Sequence, residues 1–379
     1  MRPKIHILHS YKVFYPDVFG GIPYAIDIVS RLAPEKFEQS ILVTSKTARP
    51  IEVSNGVVLE SVRSWGDLMS LPIAPIYPFV LWLRSRKADV LMMHAPFPLA
   101  DLVFGLFLRR RQKLVIYWHS HIVSQKLIYR LIKPLIRRSL KRADRIIISH
   151  PTIAYDGSIL EAFRDKCAII PYAVDTDIFN SDSGAAFKQE LDGEKLPLVA
   201  ACGRLVKYKG FDVLIEAARH IQARIAIVGE GTERDALQFL INEAGLNHRV
   251  ELVGSLSQCD LIALLNSASV FAFPSISSAE TFGIAQVEAM ACGCAIVNTQ
   301  IPTAVPEVAR HGIEALTISP GDVVGLAAAI NTLLTDDAMR CKLSTNARAR
   351  ASALYDQATY QSRLEELLCS ISESCAENG

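Results

Sequence analysis

Glu280 and Glu288 stand eight positions apart in a segment that reads as strand, serine-rich loop and helix. The strand ends near Pro274, the loop runs through Ser275, Ser277 and Ser278, and a helix is expected from about Thr281. At a rise of roughly 1.5 Å per residue the two carboxylates would lie about 12 Å apart along the axis. Paired-carboxylate hydrolases need about 5 Å for retention and up to about 9.5 Å for inversion, so hydrolysis is disfavoured. The spacing suits two carboxylates gripping hydroxyls at opposite ends of one ligand. The amides of Phe282, Gly283 and Ile284 would face an anion between them. Two capping or solvated glutamates are the plain structural alternative.

A second cluster complements the first. Ala201-Cys202-Gly203-Arg204 reads as a strand running into a glycine turn, and Lys209-Gly210 then opens a helix. Two cations at a strand's carboxyl end suit a diphosphate, although a solvated basic turn would look the same. Near the amino terminus Gly20-Gly21 separates a strand from a helix, where paired glycines let backbone amides approach an anion. An ordinary strand-to-helix turn is the competing reading there. No G-x-G-x-x-G and no G-x-x-x-x-G-K-[ST] occurs, which disfavours a Rossmann dehydrogenase and a P-loop enzyme.

The elements that must hold these residues alternate along the chain. Strand-like runs are predicted at 4–9, 39–44, 89–94, 113–119, 145–149 and 167–171, then at 198–202, 224–228, 250–253, 270–274, 295–298 and 316–318, with helical patterns between most of them. Ile225-Ala226-Ile227-Val228 lacks polar alternation, as a parallel strand covered on both faces should. The pattern predicts an α/β chain of two Rossmann-like, doubly wound domains rather than one TIM barrel. A boundary is expected within 171–180, and a last helix over about 356–369.

Charge supports two units. The chain of 379 residues is nearly neutral at +1, yet residues 1–170 hold 25 Lys and Arg against 13 Asp and Glu. The remainder is acidic. Residues 126–142 carry seven cations, no acid, and an apolar stripe of Leu127, Ile128, Leu131, Ile132, Leu135, Ile136 and Leu140. A core helix with a solvated basic face explains the stripe, and the cation excess favours an anionic membrane surface. Arg109, Arg110, Arg111 and Lys113 add a second basic cluster. Nucleic acid is disfavoured by the lack of a reading motif or stacking array.

The apolar runs 71–83 and 91–108 are broken by prolines and polar residues, so neither reads as a transmembrane helix. Eight scattered cysteines without metal-ligand spacing, and no signal peptide ahead of Arg2 and Lys4, predict a reduced cytoplasmic protein.

In order, Gly20-Gly21, Val174-Asp175 with Phe179, Gly203-Arg204-Leu205 with Lys209-Gly210, Gly229-Glu230-Gly231, and Glu280 with Glu288 resemble the signatures of retaining GT-B glycosyltransferases of family 4. The surroundings of Glu280, Asn298-Thr299 and Arg310-His311-Gly312 look like bacterial polysaccharide mannosyl- and rhamnosyltransferases, including those of O-antigen assembly. The resemblance implies two facing domains, 1–172 for the acceptor and 173–355 for the nucleotide sugar, with transfer in the cleft between them. Residues 356–379 would form a helix crossing back to the first domain, and a tail.

The resemblance also implies roles. Arg204 and Lys209 would neutralise the leaving nucleoside diphosphate, Glu288 hold the ribose, Glu280 orient the donor sugar, and Gly254 flank the base. His119, at the end of a strand, would stand by the reacting carbon, and His94 would line the acceptor side. The donor expected is GDP-mannose or GDP-rhamnose, and the acceptor a lipid-linked saccharide at the inner face of the cytoplasmic membrane. No cofactor or metal is expected. Asp175-Thr176-Asp177 spells a metal-binding D-x-D, but it falls in the linker, where the family places a structural Asp. A phosphorylase or epimerase of the same fold, or a non-catalytic nucleotide-sugar binder, would share the phosphate cradle. The family's Asn-Gly linker is Tyr172-Ala173 here, and its Gly-Gly before Pro306-Glu307 is Thr303-Ala304, which puts hinge geometry and sugar preference in question.

Overall fold

Buried aliphatic runs form the central strands of two separate sheets in a computed structural model of the chain. The structure describes residues 4–15, 17, 21–46, 51–53, 56–68, 71–108, 112–119, 126–155, 157–180 and 196–376. It divides into two compact units, Met1–Pro171 with Tyr360–Gly379, and Tyr172–Thr359.

In the first unit the strands are β1 (Ile5–Ser10), β2 (Phe37–Ser45), β3 (Ile51–Val53), β4 (Val57–Arg63), β5 (Asp67–Leu68), β6 (Leu71–Pro72), β7 (Val90–Ala95), β8 (Lys113–Trp118), β9 (Arg145–Ile148) and β10 (Cys167–Ile169). Eight of them build one sheet in the order β10-β9-β8-β7-β1-β2-β4-β3, parallel except for β3, while β5 and β6 form a small hairpin. Helices α1 (Gly21–Val29), α2 (Tyr77–Ser85), α3 (Pro98–Leu106) and α4 (Lys126–Arg142) connect the strands. β7 is buried along its whole length, which explains why its sequence does not alternate. β3 to β6 fall where no strand was expected, because β3, β5 and β6 are only two or three residues long and β4 shows positions such as Val58 and Glu60 to solvent beside its buried Val57 and Leu59.

The second unit has a six-stranded parallel sheet in the order β13-β12-β11-β14-β15-β16. Its strands are β11 (Leu198–Cys202), β12 (Arg224–Val228), β13 (Val250–Gly254), β14 (Val270–Ala272), β15 (Ala295–Thr299) and β16 (Ala315–Ile318). Helices α5 (Phe211–Ala217), α6 (Arg234–Glu243), α7 (Gln258–Ser267), α8 (Ile284–Ala291), α9 (Val305–Val308), α10 (Val323–Thr335) and α11 (Asp337–Leu354) follow in turn. Each sheet reverses its winding once, between β1 and β7 in the first unit and between β11 and β14 in the second. Ligands of open α/β sheets bind at the strands' carboxyl ends at such points.

Helix α12 (Gln357–Ala376) is longer than expected and belongs to the first unit from Tyr360 onward. Leu364 and Leu368 are buried, and Glu365 accepts hydrogen bonds from the Ala33 amide at 3.1 Å and Lys36 Nζ at 2.9 Å. Tyr360 donates to the Tyr117 hydroxyl at 3.3 Å.

Among the described residues no helix is long and apolar enough to cross a membrane. The run 71–83 splits into β6 and most of α2, and 91–108 into β7 and α3. On α4, Ile136 and Leu140 are buried as the stripe predicts, but Leu131 is 77% exposed and departs from it. Arg109, Arg110 and Arg111 lie outside the described residues.

Candidate active site

At the reversal point of the second unit β11 ends at Cys202, and the chain turns through Gly203 and Arg204 into a short 3-10 turn, Lys207–Lys209. Lys209 points inward. Its Nζ lies 2.5 Å from Glu280 Oε2 and 4.9 Å from the centre of the Phe273 ring, and both partners of the ion pair are about nine-tenths buried. No other group among the described residues hydrogen-bonds to Glu280 Oε2. Burial alone would pull the Lys209 ammonium down, but the charge of Glu280 outweighs it and raises the group above its ordinary value. Lys207, by contrast, is exposed and paired with Asp212 at 2.6 Å. Arg204 is exposed, and its Nη2 donates to the Tyr208 hydroxyl at 3.3 Å.

Glu280 sits in the loop after β14. Helix α8 starts at Ile284, three residues later than expected, because Gly283 adopts a left-handed φ of +82°. A β-carbon there would meet the Phe273 ring at 2.8 Å, so the turn requires glycine. No described hydrogen bond is donated by the amides of Phe282, Gly283 or Ile284. Phe282 itself is an anchor, packed edge-on between Tyr172 at 5.3 Å and Tyr355 at 5.7 Å. Buried Gln286 donates to the Phe282 and Val305 carbonyls, and Asn298 donates to the Val305 and Ala309 carbonyls. Both departures from the family pattern touch this loop. Tyr172 holds Phe282, and the Ala304 amide donates to the Thr281 carbonyl at 3.0 Å.

Glu288 lies in the middle of α8, partly buried and with neither an ion pair nor a hydrogen bond to its carboxylate among the described residues. Burial pushes its pKa up to about 7, against the pull of the Lys209 charge. Burial, followed by the Glu288 charge, pushes the Cys202 thiol up to about 12. Lys209 therefore acts electrostatically on both glutamates. The turn Gly229–Gly231 lies against the same loop, with the Leu205 amide donating to the Glu230 carbonyl at 2.9 Å. Gly254 closes β13 and accepts from the Gly229 amide at 2.8 Å.

In the linker Asp175 Oδ1 accepts from the amides of Asp177 and Ile178, both at 3.1 Å, and Thr176 donates to Asp356 at 2.5 Å. These bonds give Asp175 a structural use. No group of three or more potential ligands that could hold a metal ion occurs among the described residues.

The first unit brings three imidazoles together. His9 on β1, His94 on β7 and His119 after β8 are all buried. His94 Nδ1 is 2.8 Å from His119 Nε2, and His94 Nε2 is 3.1 Å from His9 Nδ1. His9 Nε2 in turn lies 2.8 Å from Gln39 Oε1. Burial lowers the pKa of His9 to about 4 and of His119 to about 3, and it holds His94 well below its usual range. All three are neutral near pH 7. His94, expected to line the acceptor side, is wholly buried, with its ring nitrogens engaged by His9 and His119. Sequence reasoning missed His9 and Gln39, for which a polar residue within a buried strand was the available signal. Gly20 lies outside the described residues, and Gly21 opens α1.

The sequence and the fold match known proteins. The family model "Glycosyl transferases group 1" matches residues 182–350, and "Glycosyltransferase Family 4" matches residues 20–178. The chain belongs to this family of GT-B glycosyltransferases, and it is an enzyme of that class. It is 26% identical to O-antigen chain mannosyltransferase C of Escherichia coli, over 93% of this chain and 94% of that one. It is also 26% identical to the D-rhamnosyltransferase WbpZ of Pseudomonas aeruginosa, over 93% and 92% of the two chains. Its fold resembles sucrose-phosphate synthase from Thermosynechococcus elongatus, with a TM-score of 0.81 at 19% identity, covering 98% of this chain and all of that one.

Proposed function

We propose that the protein transfers mannose or rhamnose, with retention of configuration, from a GDP-linked donor to a lipid-linked saccharide of a bacterial surface polysaccharide. The observation that carries this reading is the convergence of Lys209, Glu280 and Glu288 at the reversal point of the second sheet. The mannosyl- and rhamnosyltransferases that the chain resembles along nearly their whole length support the sugar class.

In this reading the diphosphate leaves toward Arg204, Lys209 and the amides of Phe282, Gly283 and Ile284. Preorganised donors of this kind stabilise departing charge without reorganising. Glu288 accepts hydrogen bonds from the ribose hydroxyls, and Glu280 orients the donor sugar from beside Lys209. Gly254 flanks the base. A donor phosphate oxygen takes the acceptor proton, so no side-chain base is needed. His119 stands by the sugar as a neutral ring. Two cations supply the charge a metal would otherwise bring, so turnover is proposed to be metal-independent. The basic α4, with Leu131 exposed among its cations, rests on anionic lipid at the cytoplasmic face and keeps the protein peripheral.

The test is transfer from GDP-mannose, GDP-rhamnose, UDP-glucose and UDP-N-acetylglucosamine to a lipid-linked saccharide with EDTA present, the product anomer being read by NMR. The expected result is turnover with a GDP-linked donor and retained configuration. An inverted product, turnover only with free phosphate, or no thermal stabilisation by any donor would overturn the reading.

A further inference from the structure

His119, just after β8, joins His94 on β7, His9 on β1 and Gln39 on β2 in one hydrogen-bonded file across neighbouring strands. Its polarity is fixed at one end. The Ser30 carbonyl, just past α1, can only accept, and Gln39 Nε2 donates to it at 2.9 Å. Gln39 Oε1 is therefore the atom that faces His9 Nε2, and that nitrogen must carry a hydrogen. A neutral imidazole has one N–H, so His9 Nδ1 is an acceptor and His94 Nε2 must donate to it. The same step repeats once more, and His119 Nε2 donates to His94 Nδ1. Reversing the file would turn the Gln39 oxygen against the Ser30 oxygen, two buried acceptors with no hydrogen between them.

We propose that Gln39, His9 and His94 are positioning residues that lock His119 in the Nε2–H tautomer, leaving its Nδ1 able only to accept a hydrogen bond. Any group that meets Nδ1 must bring a hydrogen, as a sugar hydroxyl does and a phosphate oxygen does not. The low pKa values of the three rings agree with this, since a protonated ring would break the one-way order. His119 is thus a fixed acceptor rather than an acid. The consequence for catalysis rests on the assignment of His119 to the donor sugar made above, but the tautomer itself does not.

Long-range proton–nitrogen correlation spectra of the full chain, labelled with nitrogen-15 at histidine, read each tautomer directly. In the wild type His9, His94 and His119 should each show a protonated Nε2 and a bare Nδ1. In Gln39→Leu the anchor is gone, and His119 should become a mixture of tautomers. kcat should then fall by about tenfold or more, while the KM for donor holds. A wild-type His119 protonated on Nδ1 would overturn the proposal, as would an unchanged single tautomer in folded Gln39→Leu. Should that variant not fold, the wild-type spectrum and His9→Phe decide in the same way. If the tautomers respond as stated and turnover does not, the relay stands and the placing of His119 at the sugar falls.

Discussion

Gly210 and Pro274 approach so closely that a β-carbon on the glycine would lie 2.1 Å from the proline carbonyl oxygen. The contact sets the start of α5 against the loop that leads to Glu280, and so brings Lys209 to its partner. The glycine also holds a left-handed φ of +68°. Gly210→Ala should therefore cost about 2 kcal/mol or more in denaturant unfolding and weaken donor binding. Unchanged stability and affinity would show that the loop can yield.

The Lys209–Glu280 pair is buried deeply enough for its two halves to depend on each other. Removing one partner strands the other charge, so Lys209→Met or Glu280→Gln alone should each lose about 3 kcal/mol or more. The double variant should recover much of that stability by calorimetry and still fail to transfer sugar. A double variant whose loss equals the sum of the two single losses would show that the pair is not coupled.

Glu288 offers a pH test. With its pKa pushed up to about 7 by burial, the carboxylate is half protonated near neutrality. Only the ionised form accepts two ribose hydroxyls, so donor affinity should rise as pH increases through about 7. Glu288→Gln should bind more weakly and lose that dependence. Titration calorimetry across the window checks both, and a Glu288→Gln profile that still rises would assign the effect elsewhere.

Asp101 on α3 is 1% exposed, and neither carboxyl oxygen has a well-aligned hydrogen-bond partner among the described residues. Burial pushes its pKa up from 3.8 to about 7. Between those values the folded state binds a proton that the unfolded chain has released, so this group's contribution to stability falls as pH rises and is lost above about 7. Asp101→Asn should be the more stable protein at alkaline pH, by an amount on the order of a few kcal/mol. Its advantage should shrink on acidification toward pH 4. Urea midpoints at several pH values measure the difference, and parallel curves for the two proteins would exclude Asp101 as the source.

The alternation of unbroken apolar runs with helical patterns made both sheets legible, because a parallel strand buried on two faces has little freedom in composition. Glu280, Glu288, Arg204 and Lys209 were visible as types, but the ion pair between Lys209 and Glu280 was not. Contact between residues some seventy positions apart depends on which strands become neighbours, and here β11 and β14 do. The late start of α8 escaped notice because a left-handed Gly283 looks, in sequence, like a helix residue. His9 and Gln39 were hidden for a different reason. Each is a single polar residue inside a core strand, and only strand order shows that they meet.

The closing stretch of α12 gives the fold an order in time. The second unit is one continuous segment, complete once Thr359 has left the ribosome. Most of the first unit is made before the second, yet Ala33, Lys36 and Tyr117 gain Glu365 and Tyr360 only after it. The unit begun before the other is therefore sealed after it. A premature stop shortly after Thr359 would damage the domain farthest from it in sequence, exposing its sheet to proteases while leaving the neighbouring one intact.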